Sequence, residues 1–165
     1  MEQWRQCNGA SIEDARAFLG ACCGSRRWVE RMLARRPFDS REALLTAARD
    51  DWFALEPDDW REAFAHHPRI GDRDSRAARF PGTHHLAANE QSGVQGATGD
   101  VLDALAEGNR AYEARFGHIF IVCATGKSAG EMLSLLLARL PNDPATELRI
   151  AAEEQAKITA LRLVG

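Results

Sequence analysis

The sequence predicts an all-α fold: a single-domain helical bundle of about seven to eight helices with one buried irregular segment, spanning residues 1–165. Two observations carry this. Apolar residues recur at three- and four-residue spacing along most of the chain, with Ser, Asp or Pro where the runs begin and Gly or Pro where they end. The one run that reads as a strand, His118 to Ala124, is short, continuous and β-branched, but no second run exists to pair with it. A lone strand leaves its backbone groups unsatisfied, so the run is taken as a buried extended or irregular segment between helices.

The elements follow in order. Ser11 and Asp14 open a first helix with Ile12, Ala15, Phe18, Leu19 and Cys22 on one face, up to Gly24. Ser25 opens a second, with Trp28, Val29, Met32 and Leu33 in line and an Arg35-Arg36 last turn before Pro37. Asp39 and Glu42 bracket the start of a third, lined by Leu44, Leu45, Ala48, Trp52 and Leu55. Pro57 suits the first turn of a fourth, which carries Trp60, Phe64 and His67. From Pro68 to about Gly82 the chain reads as a long polar loop, and a short helix is predicted over Leu86 to Val94. Val101, Leu105, Asn109, Tyr112 and Phe116 mark a helix ending at Gly117. Ser128 and Glu131 form a capping box for a helix through Leu140, stopped by Pro141, and Asp143-Pro144 starts a long last helix.

Composition narrows the function. With 21 basic and 24 acidic residues the net charge is −3, so the basic excess typical of a nucleic-acid binder is missing. The 45% hydrophobic content suits a folded domain, yet no apolar run reaches the roughly 18 residues of a membrane span. The four cysteines, Cys7, Cys22, Cys23 and Cys123, have no CxxC spacing and read as free thiols of a reducing compartment. The N-terminus is too polar for a signal peptide, and a cytoplasmic protein is expected.

The stretch Trp60 to Asp74, WREAFAHHPRIGDRD, stands out. Trp60, Phe64 and His67 fall at i, i+4 and i+7, which places an imidazole on a face shared with two aromatic rings. Pro68 disfavours the α-region at the residue before it, so the helix is expected to end at His67, with a polar loop beyond. A histidine at a helix C-terminus is also explained blandly, as a cation favoured by the helix dipole. In the last helix Leu148, Ala151, Gln155, Ile158 and Arg162 share a stripe, putting a guanidinium on or beside the inward face. Such an Arg either meets an anionic partner or snorkels to solvent.

Three chemistries can be tested by spacing. Gly126-Lys127-Ser128 ends an apolar run before a helix, but a phosphate-binding loop needs glycine where Ile121 stands, and the run is better explained as a helix start. His66, His67, His84 and His85 cluster in sequence with Asp72 and Asp74 nearby, but adjacent helical residues point about 100° apart and no HxxxH or HExxH appears, so no dedicated metal site is expected. Cofactor-free acid–base chemistry needs a histidine at an apolar edge, a carboxylate and an amide to orient a polar ligand, and a cation for an anionic one. His67, Glu90, Gln91 and Arg162 supply that set.

These residues also carry a resemblance. HPRIGD (from His67), NEQSGV (from Asn89), NRAYEARFG running into HIFIVCATGKS (Asn109 to Ser128), RLPND (from Arg139) and the closing stretch from Glu147 to Leu163 match, in order and spacing, the 2-oxo-4-hydroxy-4-carboxy-5-ureidoimidazoline (OHCU) decarboxylases of urate breakdown. SRRWVERMLARRPF resembles that family's Trp-containing second helix, so the likeness covers almost the whole chain. The resemblance implies an all-α homodimer that needs no metal or organic cofactor and converts OHCU to (S)-allantoin and carbon dioxide. It implies that His67 is the acid–base residue, a task suited to an imidazole of ordinary pKa about 6.5. It further implies that Glu90 and Gln91 bind ring or ureido groups, that Arg162 holds an anionic or carbonyl group, and that Phe120 and Ile121 offer backbone groups to the ligand. One departure stands at Ala87, where the family often has serine. It leaves an alternative class, a non-catalytic helical ureide-binding module, with a metal-dependent hydrolase ranked third.

Overall fold

Short oxygen-bearing side chains set most of the helix starts. The computed structural model describes residues 2–70 and 98–165, and within them runs α1 (Gln3–Gly9), α2 (Ile12–Cys22), α3 (Arg26–Arg35), α4 (Arg41–Phe53), α5 (Pro57–Phe64), α6 (Gly99–Phe116), α7 (Ala129–Arg139) and α8 (Pro144–Val164), with no strand among the described residues. Ser11, Ser25, Ser40, Thr98 and Ser128 each accept the backbone N–H three residues on, at 3.0 to 3.4 Å, satisfying one of the donors that a helix start leaves open. Glu131 answers Ser128 to complete the capping box. Asp143 accepts from both Thr146 Oγ1 (2.6 Å) and the Thr146 N–H (3.0 Å), and these bonds hold its carboxyl below the ordinary carboxylate range. Gly117 closes α6 with φ 79°, a left-handed conformation that a side chain would strain.

The chain divides into two compact units, Met1–Ala63 with Gln155–Gly165, and Phe64–Glu154. In the first, Trp28 is fully buried and donates its indole N–H to the Ala48 carbonyl at 3.0 Å, fastening α3 to α4. Burying a large apolar side chain contributes about 1.5–3 kcal/mol, and the indole bond keeps its polar end from offsetting that gain. Arg35 forks onto Asp51 at 2.7 and 2.9 Å between the same helices. In the second unit, Ile70, Leu105, Tyr112, Phe120, Val122, Ala124, Ala129, Met132 and Leu136 form one buried apolar cluster.

Several expectations shift by a few residues. Helix α1 was not anticipated: it is short, buries only Cys7 and lacks a side-chain cap, so it has no periodicity to read. Arg36 Nη1 secures it instead, donating to the carbonyls of Cys7 (2.8 Å) and Ala10 (2.9 Å). Ser40, not Asp39, caps α4. Ile12, expected on the inner face of α2, is 59% exposed. The segment Ile119 to Ala124 is buried and without regular structure, as the absence of a pairing partner requires. The predicted helix over Leu86 to Val94 and most of the polar loop lie outside the described residues. No helix among the described residues is long and apolar enough to cross a membrane.

Candidate active site

His67 lies just past the end of α5. The helix stops at Phe64, three residues before the expected boundary, and the His67 N–H donates to the Phe64 carbonyl at 3.1 Å in a tightened turn. Pro68 has no N–H for the Phe64 carbonyl four residues back and its ring would clash with that carbonyl, so the α-helix does not run on to it. The spacing argument holds for burial: Trp60, Phe64 and His67 are all buried, His67 to 7% exposure.

Two contacts fix the backbone that follows. Arg69 forks onto Glu113 of α6 with two bonds of 2.8 Å, and the Asn109 side-chain amide donates to the Ile70 carbonyl at 3.0 Å. Ile70 is itself part of the apolar cluster that contains Phe120 and Val122. Thus the turn bearing His67 and the irregular segment bearing Phe120 and Ile121 are anchored in one core. His118, at the head of that segment, packs its ring 5.1 Å from Phe64 and 5.6 Å from Tyr112.

The irregular segment is held by charged side chains. Arg139, at the end of α7, donates from Nη1 to the Ile121 carbonyl (2.7 Å) and from Nε to Glu147 (2.6 Å), and its guanidinium lies 4.5 Å over the Phe120 ring. Glu147 also accepts from the Tyr112 hydroxyl and from Asn142 Nδ2 (3.1 Å). Burial, with the bond to Glu147, pushes the Tyr112 hydroxyl well above the ordinary phenol range. At the far end the Cys123 N–H donates to Glu154 (3.1 Å), and the Cys123 carbonyl accepts from Lys127 Nζ (2.6 Å). Among the described residues, no acceptor meets the backbone N–H of Phe120, Ile121 or Val122.

Arg162 belongs to the other unit. It is half-buried, and Nη1 donates to the Ala21 carbonyl in the last turn of α2 at 3.3 Å, so the guanidinium does not simply snorkel to water. Its stripe is more polar than the sequence suggested: Gln155 and Thr159 are buried and bonded to each other at 2.9 Å. Nearby, burial pushes the Cys23 thiol up to about 12, which removes it as a nucleophile near neutral pH. Glu90, Gln91, Ala87, His84 and His85 lie outside the described residues. Among the described residues, no group of three His, Cys, Asp or Glu side chains is arranged to hold a metal ion.

Sequence reasoning missed Asn109, Arg69, Arg139, Tyr112 and Glu147 as supports of this site. Asn109 and Tyr112 were read only as members of the helical stripe, although a buried Asn in an apolar line signals a specific hydrogen bond.

Comparison with known proteins agrees with this architecture. The chain is 41% identical over 143 residues to the uric acid degradation bifunctional protein TTL of Arabidopsis thaliana, covering 86% of this chain and 44% of that protein. It is 46% identical over 55 residues to the 2-oxo-4-hydroxy-4-carboxy-5-ureidoimidazoline decarboxylase of Amia calva, covering 33% of this chain and 31% of that one. In these matches the chain spans less than half the length of its curated relatives. A crystal structure of OHCU decarboxylase in the presence of (S)-allantoin superposes with a TM-score of 0.73 at 36% identity, covering 93% of this chain and 96% of that one. A crystal structure of (S)-allantoin synthase shares the fold, with a TM-score of 0.70 at 20% identity, covering 97% of this chain and 52% of that one. The family model described as OHCU decarboxylase matches residues 8–164, and the chain belongs to that family.

Proposed function

We propose that this chain decarboxylates OHCU to (S)-allantoin and carbon dioxide, with His67 as the acid–base residue and no metal or organic cofactor. The observation that carries the reading is the placement of His67: a buried imidazole on a turn whose next residues are tied to α6 and to the cluster holding Phe120. The substrate brings its own electron sink. As the bond from the ring carbon to the carboxylate breaks, its electron pair forms a double bond to the neighbouring imine carbon, and the imine nitrogen takes a proton. His67 then removes the hydroxyl proton as that oxygen becomes the ring carbonyl, and returns a proton to one face of the former imine carbon. The protein has to orient, stabilise and reprotonate, which suits a rigid apolar pocket with few polar groups.

In this reading Glu90 and Gln91 bind ring and ureido groups, Arg162 holds a carboxylate or carbonyl by its planar fork, and the backbone at Phe120 and Ile121 donates to the ligand. The buried N–H groups of that segment support this, since a buried donor without an acceptor costs about 1–3 kcal/mol and is tolerated where a ligand meets it. The reading extends to residues 1–165 acting as one OHCU decarboxylase domain and to a cytoplasmic homodimer. The four buried cysteines, none of them in a disulfide among the described residues, suit a reducing compartment.

Freshly generated OHCU, made by oxidising urate, tests the proposal by circular dichroism of the product. The wild type accelerates formation of (S)-allantoin, His67→Ala abolishes the acceleration, and a chelator leaves it intact. A wild-type rate equal to the spontaneous rate overturns the assignment.

A further inference from the structure

We propose that Arg139 is a positioning residue that strengthens the Val122 N–H as a donor to a carboxylate or ureide carbonyl of the ligand. The inference rests on the decarboxylase reading and deepens it. The Ile121 carbonyl and the Val122 N–H belong to one conjugated peptide, so a charged donor on the oxygen draws electron density from the nitrogen. Arg139 Nη1 is that donor, at 2.7 Å. Its side chain is only 9% exposed, so solvent screens its charge weakly. Glu147 holds the guanidinium through Nε, and the Phe120 ring lies beneath it at 4.5 Å, which fixes the cation on the residue before the polarised peptide. At the next peptide the arrangement reverses: the Cys123 N–H is already bonded to Glu154. Val122 is therefore where the segment combines a reinforced N–H with no protein acceptor among the described residues.

A planar fork is required, since one guanidinium serves Glu147 and the Ile121 carbonyl from different nitrogens in one plane, whereas an ammonium cannot hold both in that geometry. Arg139→Lys therefore keeps the charge and loses the grip. Because a lone Glu147 would destabilise the core, the companion variant is Arg139→Met with Glu147→Gln, which leaves no uncompensated charge. For each variant that keeps the wild-type circular dichroism spectrum, KM, kcat, the calorimetric affinity for (S)-allantoin and the Val122 amide proton resonance are measured. Both variants should raise KM and weaken allantoin binding about tenfold, leave kcat much less affected, and shift the Val122 amide proton upfield. Folded variants with wild-type KM and wild-type allantoin affinity overturn the inference, since Arg139 and Glu147 are then only a structural pair. A wild type that binds allantoin but does not turn over OHCU sinks the decarboxylase reading alone, and the calorimetric comparison still decides the role of Arg139. A wild type that does neither sinks both.

Discussion

The Asn109 side-chain amide donates to the Ile70 carbonyl at 3.0 Å, fixing the backbone three residues beyond His67 to the middle of α6. Its Oδ1 is buried with no partner among the described residues, so the donated bond is the side chain's one polar contact there. Asn109→Leu keeps the volume but orphans the Ile70 carbonyl. Stability in urea should fall by about 1–3 kcal/mol. Turnover of OHCU should drop more than that loss explains at temperatures where the variant is fully folded, because the His67 turn is released. Unchanged turnover in a destabilised variant shows that the clamp is structural only.

Gly108 lets α6 and α7 approach closely. A Cβ there would lie 2.0 Å from Leu136 Cδ2, and Leu136 is fully buried. Gly108→Ala gains about 1 kcal/mol of helix propensity but overpacks the core by about 1–3 kcal/mol, so the expected net is a destabilisation of up to about 2 kcal/mol. Leu136→Val in the same chain should relieve the clash, and the double-mutant cycle will then show a favourable coupling in thermal melts.

The capping box at Ser128 stands between the irregular segment and α7. Ser128→Ala removes the acceptor for the Glu131 N–H and should cost about 1 kcal/mol in chemical denaturation. Ser128→Asp, which restores an acceptor and suits the helix N-terminus, should recover most of it.

Alkaline pH should weaken the fold through Cys23. Burial raises its thiol from 9.0 to about 12, so between those values the unfolded chain releases a proton that the folded chain keeps. The contribution is fully present below pH 9.0 and is lost as pH rises towards 12. Melting temperature should fall across that window, and Cys23→Ala should flatten part of the slope. Tyr112, raised in the same direction, leaves a remainder.

Helix order and most caps were legible because they depend on neighbours in sequence: Ser11, Ser25 and Ser128 each cap through a bond three residues away. The burial of His67 was legible for the same reason, through its spacing from Trp60 and Phe64. The earlier end of α5 puts its last residue four before Pro68, where a proline ring would clash with the helical carbonyl. The charged supports were not legible. Arg69 finds Glu113, and Arg139 finds Tyr112, Ile121 and Glu147, through tertiary packing, and charged residues in helices read by default as solvated faces. The motif RLPND contributed to the family resemblance without revealing that its arginine is buried.

Lys127 carries a last consequence. The run Ala124-Thr125-Gly126-Lys127-Ser128 imitates a phosphate grip down to a left-handed glycine, with Gly126 at φ 79°. Yet the ammonium is already bound to the Cys123 carbonyl at 2.6 Å, so the cation faces back onto its own loop. The decoy is self-quenching: the lysine that makes this stretch resemble a nucleotide site serves as the clasp that closes the segment beside the proposed ureide pocket.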